Sequence, residues 1–268
     1  MTAAAQASLA TPGEQRLSMF SRFLEGSSRA LLARSGLRRG MHVLDAGCGT
    51  GSMTLWIATQ VGPRGTVTAL DCSSEALETL QRQAHQAGLA NIRCEQVDLG
   101  TGAALPGSAD IVYSRCVLMH LQQPHMALRS LHAALRDGGH GVFEEPVLSA
   151  YRTPGDRLLW AFAVSLYTRY CAGQGIDPEY GASLRAAVAE AGFAPQSCEL
   201  DFSPVPVAQA KAYIDHSLEA SGRRYVDAGL IAPLALHNQR KAYVPRDSDS
   251  GRMTHFHGVT QLIARKGA

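Results

Sequence analysis

The stretch Val43–Ala58, VLDAGCGTGSMTLWIA, decides how the rest of the chain is read. A run of apolar residues empties into small ones and restarts with helical spacing. Gly47, Gly49 and Gly51 stand at alternate positions, with Asp45 just ahead of them. Glycine adopts positive φ without steric cost and lets another group approach the main chain. The helix that follows presents backbone N–H groups with no partner of their own. In an open α/β sheet, ligands bind outside the carboxyl ends of the strands, where strand order reverses. The turn therefore predicts a ligand lying across it, although tight helix–strand packing also selects glycine.

Working outward, short strand-like runs alternate with amphipathic helices from Met41 to Pro146. MHVLDAG (41–47), GTVTALD (65–71), NIRCEQVD (91–98), ADIVYS (109–114) and HGVFEEP (140–146) read as strands. Between them, 73–88 repeats Leu77, Leu80, Ala84 and Ala87 at helical spacing and stops at Gly88. A second helix has Pro124 near its start, Leu128, Leu131 and Leu135 on one face, and glycines at its end. Strands joined by such helices imply right-handed crossovers and a parallel sheet covered on both faces. Beyond Pro146 the pattern predicts helices over 150–172 and 179–191, a strand near 195–202, and a last strand over 253–266. The segment 205–250 reads as a mostly helical insertion, a natural lid that helices within 14–35 would join. Residues 1–13 read as a flexible tail, leaving 14–268 as a single domain.

Composition narrows the function class. The chain has 268 residues, 46% hydrophobic and 18% charged, with a formal net charge of +2. It has no Lys/Arg run, so neither nucleic acid nor an anionic membrane surface is the expected partner. The six cysteines form no C-x-x-C pair and read as buried hydrophobes of a reducing cytoplasm. No apolar run reaches the roughly 18 residues of a membrane span.

Two more acids sharpen the reading. Asp71 ends the second strand, where a carboxylate can accept from two vicinal ribose hydroxyls. Asp98 ends the third, one strand further out, where an adenine amino group would lie. Either alone reads equally as a helix or turn cap. Three acids at the tips of successive strands favour one shared ligand. The G-x-G-x-G spacing differs from the G-x-G-x-x-G of dinucleotide sites.

VLDAGCGTGSMT, Asp71, QVDL and the run ADIVYSRCVLMHLQQPHMALRSLHAALRDGGHGVFEE together resemble the ordered motifs of class I S-adenosylmethionine-dependent methyltransferases. The nearest flavour is the small-molecule branch of ubiquinone/menaquinone-type and natural-product tailoring enzymes. The resemblance implies a Rossmann-like α/β fold with a seven-stranded sheet in the order 3-2-1-4-5-7-6, its last strand antiparallel. It also implies S-adenosylmethionine as cofactor. Gly47, Gly49 and Gly51, with the intervening Cys48, would approach its amino-acid part and adenosine. Asp45 would hold its amino group through water, and Asp71, followed by Cys72, would take the ribose hydroxyls. Asp98 and the backbone of Leu99 would read adenine. Ser114 and Arg115 would lie beside the aminocarboxypropyl arm, and Arg22 is a candidate for its carboxylate.

For catalysis, His120 is the candidate base, just past the fourth strand and with an unperturbed pKa near 6.5; packing that shapes the pocket is its other reading. Glu144 and Glu145 end the fifth strand on opposite faces. Glu145 is a candidate to orient substrate or a histidine, and a solvated rim pair is the alternative. His216, His237, Tyr213 and Tyr243 lie in the insertion. HFH (255–257) would put both rings on one strand face, but further metal ligands are missing, so it reads as structural. The expected activity is methyl transfer to O, N or C of a small acceptor with apolar surface, by a cytoplasmic monomer or homodimer. The alternatives are a nicotinamide-dependent oxidoreductase, and a methyltransferase-like protein that keeps the cofactor site but catalyses a cyclisation or acts as a binding partner.

Overall fold

The computed structural model describes residues 11–267. Of the expected tail, residues 1–10 lie outside that range, and helix α1 (Pro12–Arg34) already begins at Pro12. Seven strands form one sheet: β1 (His42–Ala46), β2 (Thr66–Asp71), β3 (Ile92–Gln96), β4 (Ala109–Arg115), β5 (Leu135–Val147), β6 (Phe193–Asp201) and β9 (Gly258–Lys266). Their order is β3-β2-β1-β4-β5-β9-β6, and β9 pairs antiparallel with β6. Counting only the strands of this sheet, that is the expected 3-2-1-4-5-7-6. Order reverses between β1 and β4, both parallel, with Asp45 opposite Tyr113 and Ala46 opposite Ser114. The glycine turn leaves β1 at that switch point.

The chain clusters into two compact units. The larger comprises Ser27–Val147, Gly175–Asp201 and the chain from Val259 onward. On one face of its sheet, Val43, Val67, Ile111 and Tyr113 pack with Met53, Ile57 and Val61 of helix α2 (Ser52–Val61) and with Leu31 and Leu32 of α1. Helix α3 (Ser74–Gln86) starts at Ser73, whose hydroxyl accepts from the Ala76 N–H, and buries Leu77, Leu80 and Ala84. Helix α4 (Pro124–Ala134) has proline in its first turn and buries Leu128 and Leu131. It passes straight into β5 at Leu135 instead of stopping at glycine. Gly138 (φ +72°) falls inside the strand, where pairing with β4 shifts register between Ala109 and Ile111. Positive φ at that glycine accommodates the irregularity that helical periodicity masked. Helix α6 (Leu184–Glu190) completes the unit.

The other unit ends its first segment at Gly26 and adds Leu148–Gln174 and Phe202–Gly258. It holds helices α5 (Pro154–Cys171), α7 (Val207–Asp227) and α8 (Pro233–Ala242), with a two-stranded antiparallel pair, β7 (Pro204–Pro206) and β8 (Met253–His255). The expected last strand over 253–266 is thus two strands in two sheets, broken at Phe256–His257. The break also undoes the strand alternation expected of HFH. His255 pairs with Asp156 (3.2 Å), whereas His257 is buried against the Phe256 ring and pushed down to about 3 by that burial. Asp156 closes the Thr153 capping box at the start of α5 and accepts from Thr254 Oγ1 (2.7 Å) and His255 N–H (3.0 Å). Trp160 Nε1 donates to the His255 carbonyl (2.8 Å), and its ring meets Phe256 edge to face at 5.3 Å.

Candidate active site

The three glycines of the turn all have positive φ: +74° at Gly47, +54° at Gly49 and +87° at Gly51. They differ in what lies above them. A Cβ on Gly47 would overlap the Val117 side chain, and one on Gly51 would overlap Leu80. Among the described residues, a Cβ on Gly49 would meet nothing within 4 Å beyond its chain neighbours. Packing therefore accounts for two of the glycines, and only the middle one leaves its face open. The turn's own N–H groups are largely spent on its shape: Gly47 and Cys48 donate to the Leu70 carbonyl (2.7 and 2.9 Å), and Gly51 to that of Cys48 (3.0 Å). Helix α2 starts behind them without a side-chain cap.

The three acids have different environments. Asp45 is 3% exposed, and one carboxylate oxygen accepts from Thr54 Oγ1 at 2.6 Å. Burial pushes it up to about 6, against the opposing pull of Thr54 and of Arg115. Asp71 is half-buried and accepts from the Gly49 N–H (2.8 Å) and the Ser73 N–H (2.9 Å), one on each oxygen. An ionised carboxylate has about four lone-pair sites, so capacity remains. Asp98 lies two residues past β3, is exposed, and accepts from the Gly100 N–H (2.8 Å) to cap the turn Leu99–Thr101, with Leu99 buried. Cys48 is half-buried and Cys72 exposed; burial raises both thiols, so neither presents a thiolate nucleophile at neutral pH.

Ser114 and Arg115 end β4 on opposite faces, as strand alternation requires. The Ser114 hydroxyl is fully buried with no hydrogen-bond partner among the described residues. Arg115 shares the face of Asp45 and donates to Ser28 Oγ (3.2 Å) and Ser52 Oγ (3.3 Å). On that face Tyr113 donates to Glu144 (2.6 Å), which also accepts from Gln261 Nε2 (2.9 Å). Glu144 and Glu145 are both 0% exposed, which removes the rim-pair alternative. Glu145 points away from Glu144 and accepts the N–H groups of Val117 (3.0 Å), Leu118 (2.8 Å) and Met119 (3.2 Å). Burial pushes it up to about 8, against those three bonds.

His120 is exposed at the end of the turn Leu118–His120, and its N–H donates to the Val117 carbonyl (3.0 Å). Asp45, the glycine turn, Asp71, Asp98, Ser114, Arg115, His120 and Glu145 all belong to the larger unit. Arg22, exposed on its segment of α1, belongs to the other unit, as do exposed His237 on α8 and half-buried His216 on α7. Asp215, His216 and Glu219 bring potential metal-ligand atoms within 4.8 Å of one another. Arg240 already pairs with both carboxylates, at 2.7 and 3.0 Å, so a cation there would compete with a guanidinium.

Thr54, Ser28, Ser52, Tyr113, Gln261 and Val117 were not singled out by the sequence. Thr54 alone carried a signal, as a hydroxyl in the first turn of the helix behind the glycines. The set fits a polar ligand with vicinal hydroxyls and a cationic end. It offers open main chain at Gly49, spare acceptor capacity at Asp71, an acid at Asp45 whose burial disfavours its lone charge, and an unspent hydroxyl at Ser114.

Residues 37–162 match a family model described as a methyltransferase domain. A malonyl-[acyl-carrier protein] O-methyltransferase of Paenibacillus sp. is 28% identical over 74% of this chain and 72% of its own length. A ubiquinone/menaquinone biosynthesis C-methyltransferase of Pseudoalteromonas translucida is 35% identical over 41% of this chain and 45% of its own length. The chain spans about half the length of several of the curated relatives it matches. Among solved structures, phosphoethanolamine N-methyltransferase 2 of Haemonchus contortus, in complex with S-adenosyl-L-methionine, shares the fold. Its TM-score is 0.61 at 16% identity, over 96% of this chain and 58% of that one.

Proposed function

We propose that the chain is a class I S-adenosylmethionine-dependent methyltransferase of the small-molecule branch, with S-adenosylmethionine as cofactor, and that it methylates an O, N or C atom of a small organic acceptor with apolar surface. Likeness to a ubiquinone/menaquinone C-methyltransferase supports an acceptor from quinone-type or secondary metabolism. When bound, the cofactor supplies an electrophilic methyl group on a sulfonium, which leaves by in-line displacement. The protein's contribution is then positioning and exclusion of water, with no covalent enzyme intermediate.

Each residue has a stated task. Gly49 admits the cofactor to the main chain, and Cys48 and Cys72 flank the two turns that receive it. Asp71 accepts the ribose hydroxyls while holding the turn through the Gly49 N–H. Asp98 and the Leu99 backbone read adenine. Asp45 holds the amino group through water, with its ionised form favoured by that positive charge. Ser114 and Arg115 serve the amino-acid arm from opposite faces of β4. His120, exposed on its turn, takes the acceptor proton where the acceptor is a hydroxyl or an acidic carbon.

The observation that carries this reading is the open face of Gly49 beside a carboxylate with acceptor capacity to spare. Calorimetric titration with S-adenosylhomocysteine and, separately, NAD tests the site; binding of NAD in place of the nucleoside would overturn it. Incubation with methyl-labelled cofactor and an extract of the protein's own host tests the reaction. A labelled small molecule is the expected result. Tight cofactor binding with no transfer to any acceptor would instead favour the cyclisation or binding-partner reading.

A further inference from the structure

Three consecutive backbone N–H groups, those of Val117, Leu118 and Met119, converge on the single buried carboxylate of Glu145. The chain reaches them from β4 through Cys116, a non-glycine residue at φ +55°. That conformation costs an L-residue on the order of 1–2 kcal/mol and persists only where surrounding contacts enforce it. The enforcing contacts are visible. Cys116 N–H donates to the Glu144 carbonyl (2.7 Å), and the Met119 carbonyl accepts from the Asp177 N–H (2.8 Å). Gly181 packs so closely against the Glu145 carbonyl that a Cβ there would overlap it. The loop held this way is a strap with a useful residue at each end: Val117 covers Gly47 of the cofactor turn, and His120 lies exposed after Met119.

We propose that Glu145 is a positioning residue whose ionised carboxylate sets loop 116–120, and through it both the Val117 contact with the cofactor turn and the station of His120. The proposal rests on the reading of the turn as a cofactor site and of His120 as the acceptor-side base. It removes Glu145 from contact with substrate, since its oxygens face the strap.

The charge state matters because of how the bonds are shared. Oε1 accepts from Val117 and Leu118, whereas among the described residues Oε2 accepts only from Met119, at the longest of the three distances. A proton on Oε2 therefore weakens the Met119 bond, the one next to His120. The ionisable groups whose charges couple to Glu145 are Glu144 on its own strand, Cys116 at the end of β4 and Tyr180 on the turn Tyr180–Ala182. All of these are acids, so the N–H dipoles of the strap are what favours the ionised form. Burial pushes Glu145 up to about 8, which puts its titration within reach of experiment.

Amide hydrogen exchange, corrected for intrinsic rates, and the imidazole NMR signal of His120 are to be followed in the intact chain between about pH 6 and 9, in the native protein and in Glu145→Gln. In the native protein, protection of the Met119 amide should fall by roughly tenfold as pH drops through the titration, the equivalent of one net hydrogen bond. The His120 signal should shift with the same midpoint. In Glu145→Gln the strap amides should lose protection at every pH, and the shared midpoint should vanish. Amides of β1 and β4 should keep theirs. The native titration needs no variant, so a Glu145→Gln protein that fails to fold leaves the proposal testable. Unchanged Met119 protection and an unmoved His120 signal across the native titration would overturn it. S-adenosylhomocysteine binding, measured on the same samples, separates this outcome from a failure of the cofactor reading.

Discussion

The backbone N–H of Gly49 donates to the Asp71 carboxylate at 2.8 Å, tying the middle of the glycine turn to the tip of the neighbouring strand. The acid proposed to hold the ribose thus also holds the backbone over which the ribose would lie. Binding and loop geometry share one side chain, and a substitution there acts on both.

Asp71→Ala should weaken S-adenosylhomocysteine binding by about 1.5–3 kcal/mol, the range for hydrogen bonds to a charged group. The domain should still melt cooperatively. Asp71→Asn keeps an oxygen for one of the two N–H donors and should fall between alanine and native. Calorimetry beside thermal melts reads both effects; an unaltered affinity in the alanine variant removes the ribose assignment.

The glycines should separate by phenotype. Gly47→Ala and Gly51→Ala meet Val117 and Leu80 and should lower the melting temperature, with overpacking costing about 1–3 kcal/mol. Adding Val117→Ala to Gly47→Ala should recover part of that loss. Gly49→Ala has room, but its φ of +54° strains any L-residue; it should fold and bind the nucleoside poorly. If Gly49→Ala binds as well as the native protein, the open face is not the ligand's.

With Asp45 at the cofactor's amino group, affinity should depend on pH. An amino group nearby favours the ionised carboxylate, so S-adenosylhomocysteine affinity should rise with pH through about 6 and level off above it. Below the transition the loss approaches tenfold per pH unit. Stability runs the other way. A folded-state pKa raised above the ordinary value of 3.8 means the favourable contribution is complete below that value and is lost as pH climbs through about 6. Asp45→Asn should therefore melt higher than the native protein at pH 8, by an amount on the order of 3 kcal/mol, and should flatten the pH profile of affinity. A native affinity that does not vary between pH 5 and 7.5 contradicts the assignment.

His120→Ala should cut turnover with the identified acceptor by about 10²–10⁴-fold and leave S-adenosylhomocysteine binding nearly unchanged, as removal of a general base does. Single-turnover transfer of labelled methyl measures the first, calorimetry the second. Full activity in the variant would leave His120 with a packing role only.

The sheet was legible because alternation and helical spacing report burial locally, and the turn at 47–51 because glycines that close together rarely mean anything else. Local patterns failed where two distant segments decide the outcome. Nothing near Gly47 says that Val117 lies over it, and nothing near Gly51 points to Leu80. The acids at 144 and 145 sit at a strand end, where sequence favours a wet rim. Their burial depends on Tyr113, Gln261 and three N–H donors supplied from elsewhere. The start of β5 was missed because Leu135 continues the helical face while the backbone has already turned extended.

Asp156 opens a helix whose partners Thr254 and His255 come almost a hundred residues later. At a synthesis rate of roughly 5–20 residues per second, that helix spends several seconds on the ribosome with only the Thr153 capping contacts made at its carboxylate. The indole of Trp160 waits over the same interval for the His255 carbonyl and the Phe256 ring. The nascent chain cannot complete these contacts until residues 254–256 are made, and a pause in translation before residue 254 would lengthen the interval.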